Sequence, residues 1–289
     1  MASKPRVALL TCEAWPELYD DEKFLVSRLR DLGADASVQV WTNPSVDWAQ
    51  FDRIAIRSPW DYFQRIDEFR AFLTRLEALG ARLENPVPLV RWNLDKVYLR
   101  ELAGRGVRIV DTRFVEAGTK ISLSALVAES GWQELILKPA ISGGAWRTHK
   151  FHARDVAQHE ASLAEFLPTT MALLQPFIPE IQTQGEWSLI FFGGTFSHAV
   201  IKQAKPGDFR VQAMFGGTFR RVEPPAHVLS AAQKALEAMP QKPLYVRIDG
   251  VERGGEFLLM EVEAIEPYLF FPAAPEAVDR YLGALLAGL

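Results

Sequence analysis

Two apolar runs near the C-terminus carry charged groups at alternate positions: Arg247 and Asp249 in "YVRID", and Glu261 and Glu263 in "LLMEVEAIEP". Strand residues two apart share a face, so Glu261 and Glu263 point one way, and Tyr245, Arg247 and Asp249 likewise form a set. A carboxylate in such a run costs several kcal/mol unless it is paired, hydrogen-bonded or metal-bound. Oxygen donors of this kind suit a hard cation, and Mg²⁺ divides its positions between a few carboxylates, water and substrate phosphates. The competing reading is ion pairing with Arg247, or a solvated edge strand. Register decides between them: a two-residue Gly254–Gly255 turn alone sets Asp249 opposite Met260, on the wrong face, so the metal reading requires a bulge or a longer turn.

Other residues invite an anion. Lys138 closes the strand-like "ELILKP" directly before the loop "ISGGA", where Gly143 and Gly144 can bring backbone N–H groups to phosphate oxygens and Ser142 adds a donor. A solvated turn explains the same glycines. Lys96 in "NLDKVYL" falls on a predicted helix, where a solvent-facing lysine is the default. In "LLQPFIPE", the connector Gln175, Pro176, Phe177 and Ile178 offers main-chain groups to an adenine edge and apolar contacts to its faces, and Glu186 in "GEWS" offers an acceptor to ribose hydroxyls. A plain turn between strands is the alternative. Cys12 ends the first predicted strand, and with no histidine nearby in sequence it reads as a packed thiol rather than a nucleophile.

The elements that must position these groups follow from periodicity. "RVALLT" (6–11), "ASVQVW" and "RIAIRS" read as strands, with helices over about 21–32 and 67–80 that stop at Gly33 and Gly80. This is a small α/β unit, and Pro86 and Pro88 mark its end. Mixed α+β follows: a helix through "NLDKVYLRELAGRG", strands at 108–115 and 134–138, a helix near 155–166, a long β stretch from Glu186, a helix over 226–238, and two final strands about Gly254 and Gly255. Three units are expected: 1–90 on the substrate side, 91–175 with the glycine loop, and 176–289 with the acidic strands.

The chain has 289 residues, 48% hydrophobic and 24% charged, enough for two domains or a compact set of subdomains. A net charge of −4 with scattered basic residues argues against nucleic acid or an anionic membrane and for a small-molecule partner. The single cysteine excludes an internal disulfide, the N-terminal apolar run is too short for a secretory signal, and no stretch is long enough to span a bilayer, so a cytoplasmic location is expected. Phosphate-loop, Rossmann, zinc and serine-hydrolase motifs are absent from the sequence.

In order along the chain, Lys96, the "LKP" lysine Lys138, the glycine loop, "QPFI", "GEWS", "RID" and "EVE" resemble the ATP-grasp carboxylate–amine ligase superfamily from about residue 93 onward. "TCEAWPELYDDEKFL", "IRSPWDYF", "PGDFRVQ" and "GEWSLIFFGGTFSHAVIK" extend the likeness over nearly the whole chain, to the cycloserine synthetase branch, which cyclises O-ureido-D-serine. The resemblance implies an ATP-grasp fold with an N-terminal α/β pre-ATP-grasp domain and nucleotide bound between two α+β subdomains. It implies that Lys96, Lys138 and Lys202 meet ATP phosphates with Ser142, Gly143 and Gly144, that Gln175 to Ile178 cradle adenine, and that Glu186 holds ribose. Asp249, Glu261 and Glu263 would hold two Mg²⁺, with Mn²⁺ able to substitute. Glu263 departs from many relatives, which have asparagine there. Arg247, Arg210 and Lys202 would be catalytic, the two arginines stabilising an acyl phosphate and its tetrahedral successor.

An amino-acid-like substrate would meet Arg57, Ser58, Trp60, Asp61, Tyr62 and Arg210, with Arg57 gripping a carboxylate and Asp61 an ammonium. Structural roles suit Trp60 and Tyr62 nearly as well, and a surface salt bridge suits Arg210. Three functions stay open: a cyclo-ligase, a ligase joining two separate molecules, and a nucleotide-binding protein without chemistry. The chain would act as a monomer or homodimer. On the metal reading, Glu261→Gln or Asp249→Asn abolishes turnover with little loss of stability.

Overall fold

The computed structural model describes residues 4–289. Its first unit comprises β1 (Arg6–Thr11), α1 (Phe24–Asp31), β2 (Asp35–Val40), β3 (Arg53–Ser58) and α2 (Ile66–Ala78). The strands form a parallel sheet in the order β2-β1-β3. Parallel strands covered on both faces need apolar residues at successive positions, which is why "VALL" and "IAI" are unbroken. Strand order reverses at β1, with β2 on one side and β3 on the other, so the C-terminal ends of β1 and β3 open a crevice. The hydroxyls of Thr11 and Ser58 meet there at 3.0 Å.

The second unit runs through α3 (Val87–Asn93), α4 (Tyr98–Gly104), β4 (Arg113–Val115), α5 (Leu123–Ser130), β5 (Glu134–Pro139), β6 (His149–His152), α6 (Glu160–Phe166) and β7 (Ala172–Pro176). Its antiparallel sheet has the order β4-β7-β5-β6. The helix expected from Asn93 through Lys96 starts only at Tyr98, as α4, and Lys96 falls in the turn between α3 and α4. Asn93 ends α3 and spends its side chain on distant backbone, donating to Val262 O (2.8 Å) and accepting from Ala264 N (2.7 Å). The strand expected over 108–115 is confined to β4, with Ile109 making only an isolated bridge to Leu259.

The third unit holds α7 (Glu180–Thr183), β8 (Glu186–Phe192), β9 (Thr195–Gln203), β10 (Thr218–Val222), α8 (Ala226–Glu237), β11 (Tyr245–Arg253), β12 (Glu256–Glu263) and α9 (Ala277–Leu286). Its antiparallel sheet has the order β10-β9-β8-β11-β12. The β stretch from Glu186 is a hairpin turned by Gly193 and Gly194, both at positive φ. The helix α9 lies beyond the expected final strands. Its Val278, Tyr281, Leu282 and Leu285 form one apolar stripe that packs on Val7, Leu9, Leu25 and Leu29 of the first unit. The first and third units therefore share a core. Among the described residues no helix is long and apolar enough to cross a membrane.

Candidate active site

The β11–β12 hairpin solves the register problem with both a tight turn and a bulge. Gly254 and Gly255 have φ of +59° and +81°, the signature of a type I′ turn, and Arg253 faces Glu256. Pairing then runs in step to Gly250 opposite Leu259, where Met260 is skipped; beyond it Asp249 faces Glu261 and Arg247 faces Glu263. All four side chains share one face. Glycine is obligatory at the bulge, since a Cβ on Gly250 would lie 2.3 Å from Phe257 Cζ and 2.6 Å from Leu258 O. Gly250→Ala should cost about 1–3 kcal/mol in urea unfolding and displace the acidic face, lowering activity as well; an unchanged denaturation midpoint would contradict this packing.

Asp249 is the hub. Ser188 Oγ donates to it at 2.5 Å, Arg247 grips it through Nε (3.0 Å) and Nη2 (2.8 Å), and Lys202 Nζ lies at 3.2 Å. Burial alone would raise its pKa, but Arg247 and Lys202 outweigh that and hold it at about 2. Lys202 also donates to Glu186 at 2.6 Å, and Arg247 pairs with Glu263. Burial pushes both Glu186 and Glu263 upward against those partners.

Lys96 is buried, contrary to the solvent-facing default. Its position between α3 and α4 sends Nζ to Ser142 O (2.6 Å), Ser142 Oγ (3.3 Å) and Glu261 (3.1 Å). The glycine loop is thereby tied to the acidic face. Gly144, Ala145 and Arg147 have positive φ, and the Trp146 ring packs at a tilt against Phe63 of the first unit, 5.6 Å between centres. Lys138 is half-buried with no hydrogen-bond or ion-pair partner among the described residues; burial, with Lys96 beside it, lowers its pKa to about 8.

The "QPFI" connector is more committed than the sequence implied. Gln175 Nε2 donates to Thr112 Oγ1 (2.9 Å), and Phe177 N to Glu134 O (2.8 Å), so that amide is not free for an adenine edge. Lys150 Nζ sits 3.4 Å above the Phe177 ring, Ile178 is buried beside Val251, and Pro176 pairs with Leu135.

The expected substrate-side residues differ in how far the fold already engages them. Arg57 is 0% exposed and bound bidentately by Glu22 at 2.6 and 3.1 Å, so it holds the core rather than a substrate carboxylate. Ser58 is equally buried against Thr11. Asp61, expected to meet an ammonium, accepts from Trp41 Nε1 through one oxygen (2.8 Å) and has Arg65 3.9 Å from the other. Arg210 is clamped by Asp208 at 2.7 Å and stacked 3.7 Å over Phe215, and none of its partners belongs to the acidic face. Trp60 is half-buried and Tyr62 buried beside Glu266. Cys12 is free and buried, and burial raises its thiol pKa, as suits an inert packed group.

Sequence reasoning assigned no role to Glu266, although an acid in the apolar "EAIEP" is itself a signal. It is 8% exposed, and burial raises its pKa to about 7.

Two groups can be tried against this donor set. Lys138 is an unpartnered cation beside Lys96, which fits a phosphate chain. Asp249, Glu261 and Glu263 supply hard oxygens on one face, which fits Mg²⁺ in chemistry. They are held by Arg247, Lys202 and Lys96, and among the described residues no three His, Cys, Asp or Glu side chains stand close enough to bind an ion.

Residues 7–85 match the family model described as D-cycloserine synthetase DcsG, N-terminal domain. The chain is 32% identical over 285 residues to the cycloserine biosynthesis protein DcsG of Streptomyces lavendulae, spanning 90% of this chain and 91% of that one. Its structure resembles the crystal structure of D-cycloserine synthetase DcsG, with a TM-score of 0.87 at 29% identity over 97% of this chain and 98% of that chain. It also shares its fold with the ATP-grasp ligase PsnB, solved with a phosphomimetic variant of its minimal precursor, Mg and ADP, with a TM-score of 0.66 at 16% identity and 99% of each chain covered.

Proposed function

Because this chain belongs to the D-cycloserine synthetase family and is an ATP-grasp ligase, we propose that it activates a substrate carboxylate as an acyl phosphate and closes an O-ureido-serine-like amino acid onto its own nitrogen. The observation that carries this reading is the bulged hairpin that sets Arg247, Asp249, Glu261 and Glu263 on one face, beside Lys96 and Lys202.

A carboxylate oxygen is a poor leaving group, so the substrate carboxylate first takes the γ-phosphoryl of ATP, releasing ADP. The nitrogen then attacks the carbonyl and phosphate departs. Lys138 and Lys96, with Ser142, Gly143 and Gly144, cradle the phosphates, while Gln175 to Ile178 and Glu186 line the nucleoside. Asp249, Glu261 and Glu263 would hold Mg²⁺, which when bound neutralises charge on the transferring phosphoryl. Arg247 is fixed by Asp249, Glu263 and Tyr268 O (3.2 Å), and so presents a pre-aimed cation to the oxyanion that forms at the carbonyl. Holding both reacting ends of one molecule supplies a proximity advantage.

The test is ADP release with O-ureido-D-serine, with hydroxylamine added to trap the acyl phosphate. ADP release with a cyclic product and no second substrate consumed supports cyclisation. Consumption of a separate amine would instead make this a two-substrate ligase, and no amino-acid-dependent ADP release would leave a nucleotide binder. Nucleotide affinity should fall as pH rises through about 8, where Lys138 loses its proton, and Lys138→Met should flatten that dependence in calorimetric titrations. A wild-type affinity flat from pH 7 to about 9.5 would remove Lys138 from the phosphate site.

A further inference from the structure

Residues 264–269 leave β12 without regular structure, yet every carbonyl along them is engaged by a side chain from elsewhere. Ala264 O accepts from Asn85 Nδ2 (2.7 Å), Ile265 O from the Tyr245 hydroxyl (2.5 Å) and Glu266 O from Trp60 Nε1 (3.2 Å). Pro267 O accepts from Arg57 Nη2 (3.0 Å), Tyr268 O from Arg247 Nη1 (3.2 Å), and Leu269 O lies 2.9 Å from His198 Nε2. An irregular segment inside a protein must satisfy its polar groups this way, and one so fully pinned is rigid. Whatever side chain it presents is held in place.

The side chain presented beside the reacting groups is Glu266. It is nine-tenths buried, neighbours the Tyr62 hydroxyl and feels the charge of Glu261, but no lysine or arginine lies within ion-pair distance of it among the described residues. Lys96 and Arg247 act on it from farther off and offset its desolvation only in part. Its backbone carbonyl is held by Trp60, whose half-buried ring lies 5.1 Å from Tyr19 and 6.2 Å from Trp15. Ring faces attract ammonium groups, and more strongly where water is excluded. Asp61 accepts from Trp41 at one oxygen and has Arg65 3.9 Å from the other, so both its oxygens already face a donor or a cation.

We infer that Glu266 is the seat of the substrate's ammonium group, walled by Trp15, Tyr19 and Trp60, and that it is therefore the residue by which the enzyme selects an amino acid over other carboxylic acids. The pinned backbone sets this seat at a fixed distance from Arg247, through the Tyr268 carbonyl, and so fixes how the activated carboxylate is presented. This rests on the ligase reading above.

The experiment compares kcat/KM for O-ureido-D-serine and for its analogue with hydroxyl in place of the α-amine, using ADP release. The wild-type enzyme should prefer the amine by ~100-fold or more, because a site built for a donor rejects a molecule that lacks it. Glu266→Gln should shrink that preference to within ~5-fold, chiefly through the KM for the amine, with the KM for ATP unchanged. Equal use of both compounds by the wild-type enzyme overturns the inference and needs no variant, so misfolding of Glu266→Gln cannot rescue it. A folded Glu266→Gln that keeps the wild-type preference overturns it also. Absence of ADP release from the wild-type enzyme with every amino acid refutes the ligase reading itself, and this inference with it.

Discussion

Glu261→Gln should lower ATP-dependent turnover by ~100-fold or more, the scale of losing one pre-positioned charge at a phosphoryl-transfer centre. Its unfolding midpoint should stay within about 2 °C of the wild type. The two readouts separate because Glu261 is 29% exposed and meets one cation, Lys96, which keeps its bonds to Ser142 when the charge opposite is removed. Asp249→Asn, which the sequence groups with it as a silent change in stability, is a different experiment. Asp249 is 2% exposed and offsets both Arg247 and Lys202, so the amide leaves two buried cations short of a partner. That variant should lose activity and stability together, by about 3–5 kcal/mol. Steady-state ADP release and thermal melts on both variants decide the matter; wild-type turnover in Glu261→Gln would remove the metal role from this face.

Arg57→Met should destabilise the protein by about 3–5 kcal/mol, which for a chain of this size lowers the melting temperature by roughly 10 °C. The guanidinium bridges the units: it is bound by Glu22, donates to Pro267 O, and lies 5.4 Å and 5.5 Å from the ring centres of Tyr245 and Tyr281. Glu84 sits in the same interior, taking a hydrogen bond from the Tyr281 hydroxyl at 2.8 Å, and burial raises its pKa to about 8 despite Arg57. Without Arg57, Glu22 keeps a buried charge that nothing offsets, and the Pro267 carbonyl loses its donor. Differential scanning calorimetry reads the effect directly. A raised substrate KM at an unchanged melting temperature would return Arg57 to the substrate site.

Local chemistry was legible wherever it depends on residues near in sequence. The strands of the first unit follow from unbroken apolar runs, the stops at Gly33 and Gly80 from the conformational freedom of glycine, and the need for a bulge in the last hairpin from alternation, which β11 and β12 meet with Met260 skipped. The apolar spacing of Val278, Tyr281, Leu282 and Leu285 was likewise present in the sequence and marks α9. Which charges face which partners was not legible. Lys96 resembles a surface lysine because a helix pattern runs across it, whereas the chain turns between α3 and α4, with Asn93 bonded to β12, and sends the lysine inward to Ser142. Arg57 and Asp61 looked available because Glu22 and Trp41 lie far from them in sequence.

The sequence by itself therefore determined the elements, the ordered motifs of an ATP-dependent ligase and the requirement that its acidic strands share a face. Tertiary structure alone decided which of those side chains are spent on one another and which, like Lys138 and Glu266, are left wanting a counter-charge. The reason is physical: periodicity encodes which way a residue points along its own strand or helix, whereas the free energy of a buried charge is set by whatever the rest of the chain brings within a few ångströms of it.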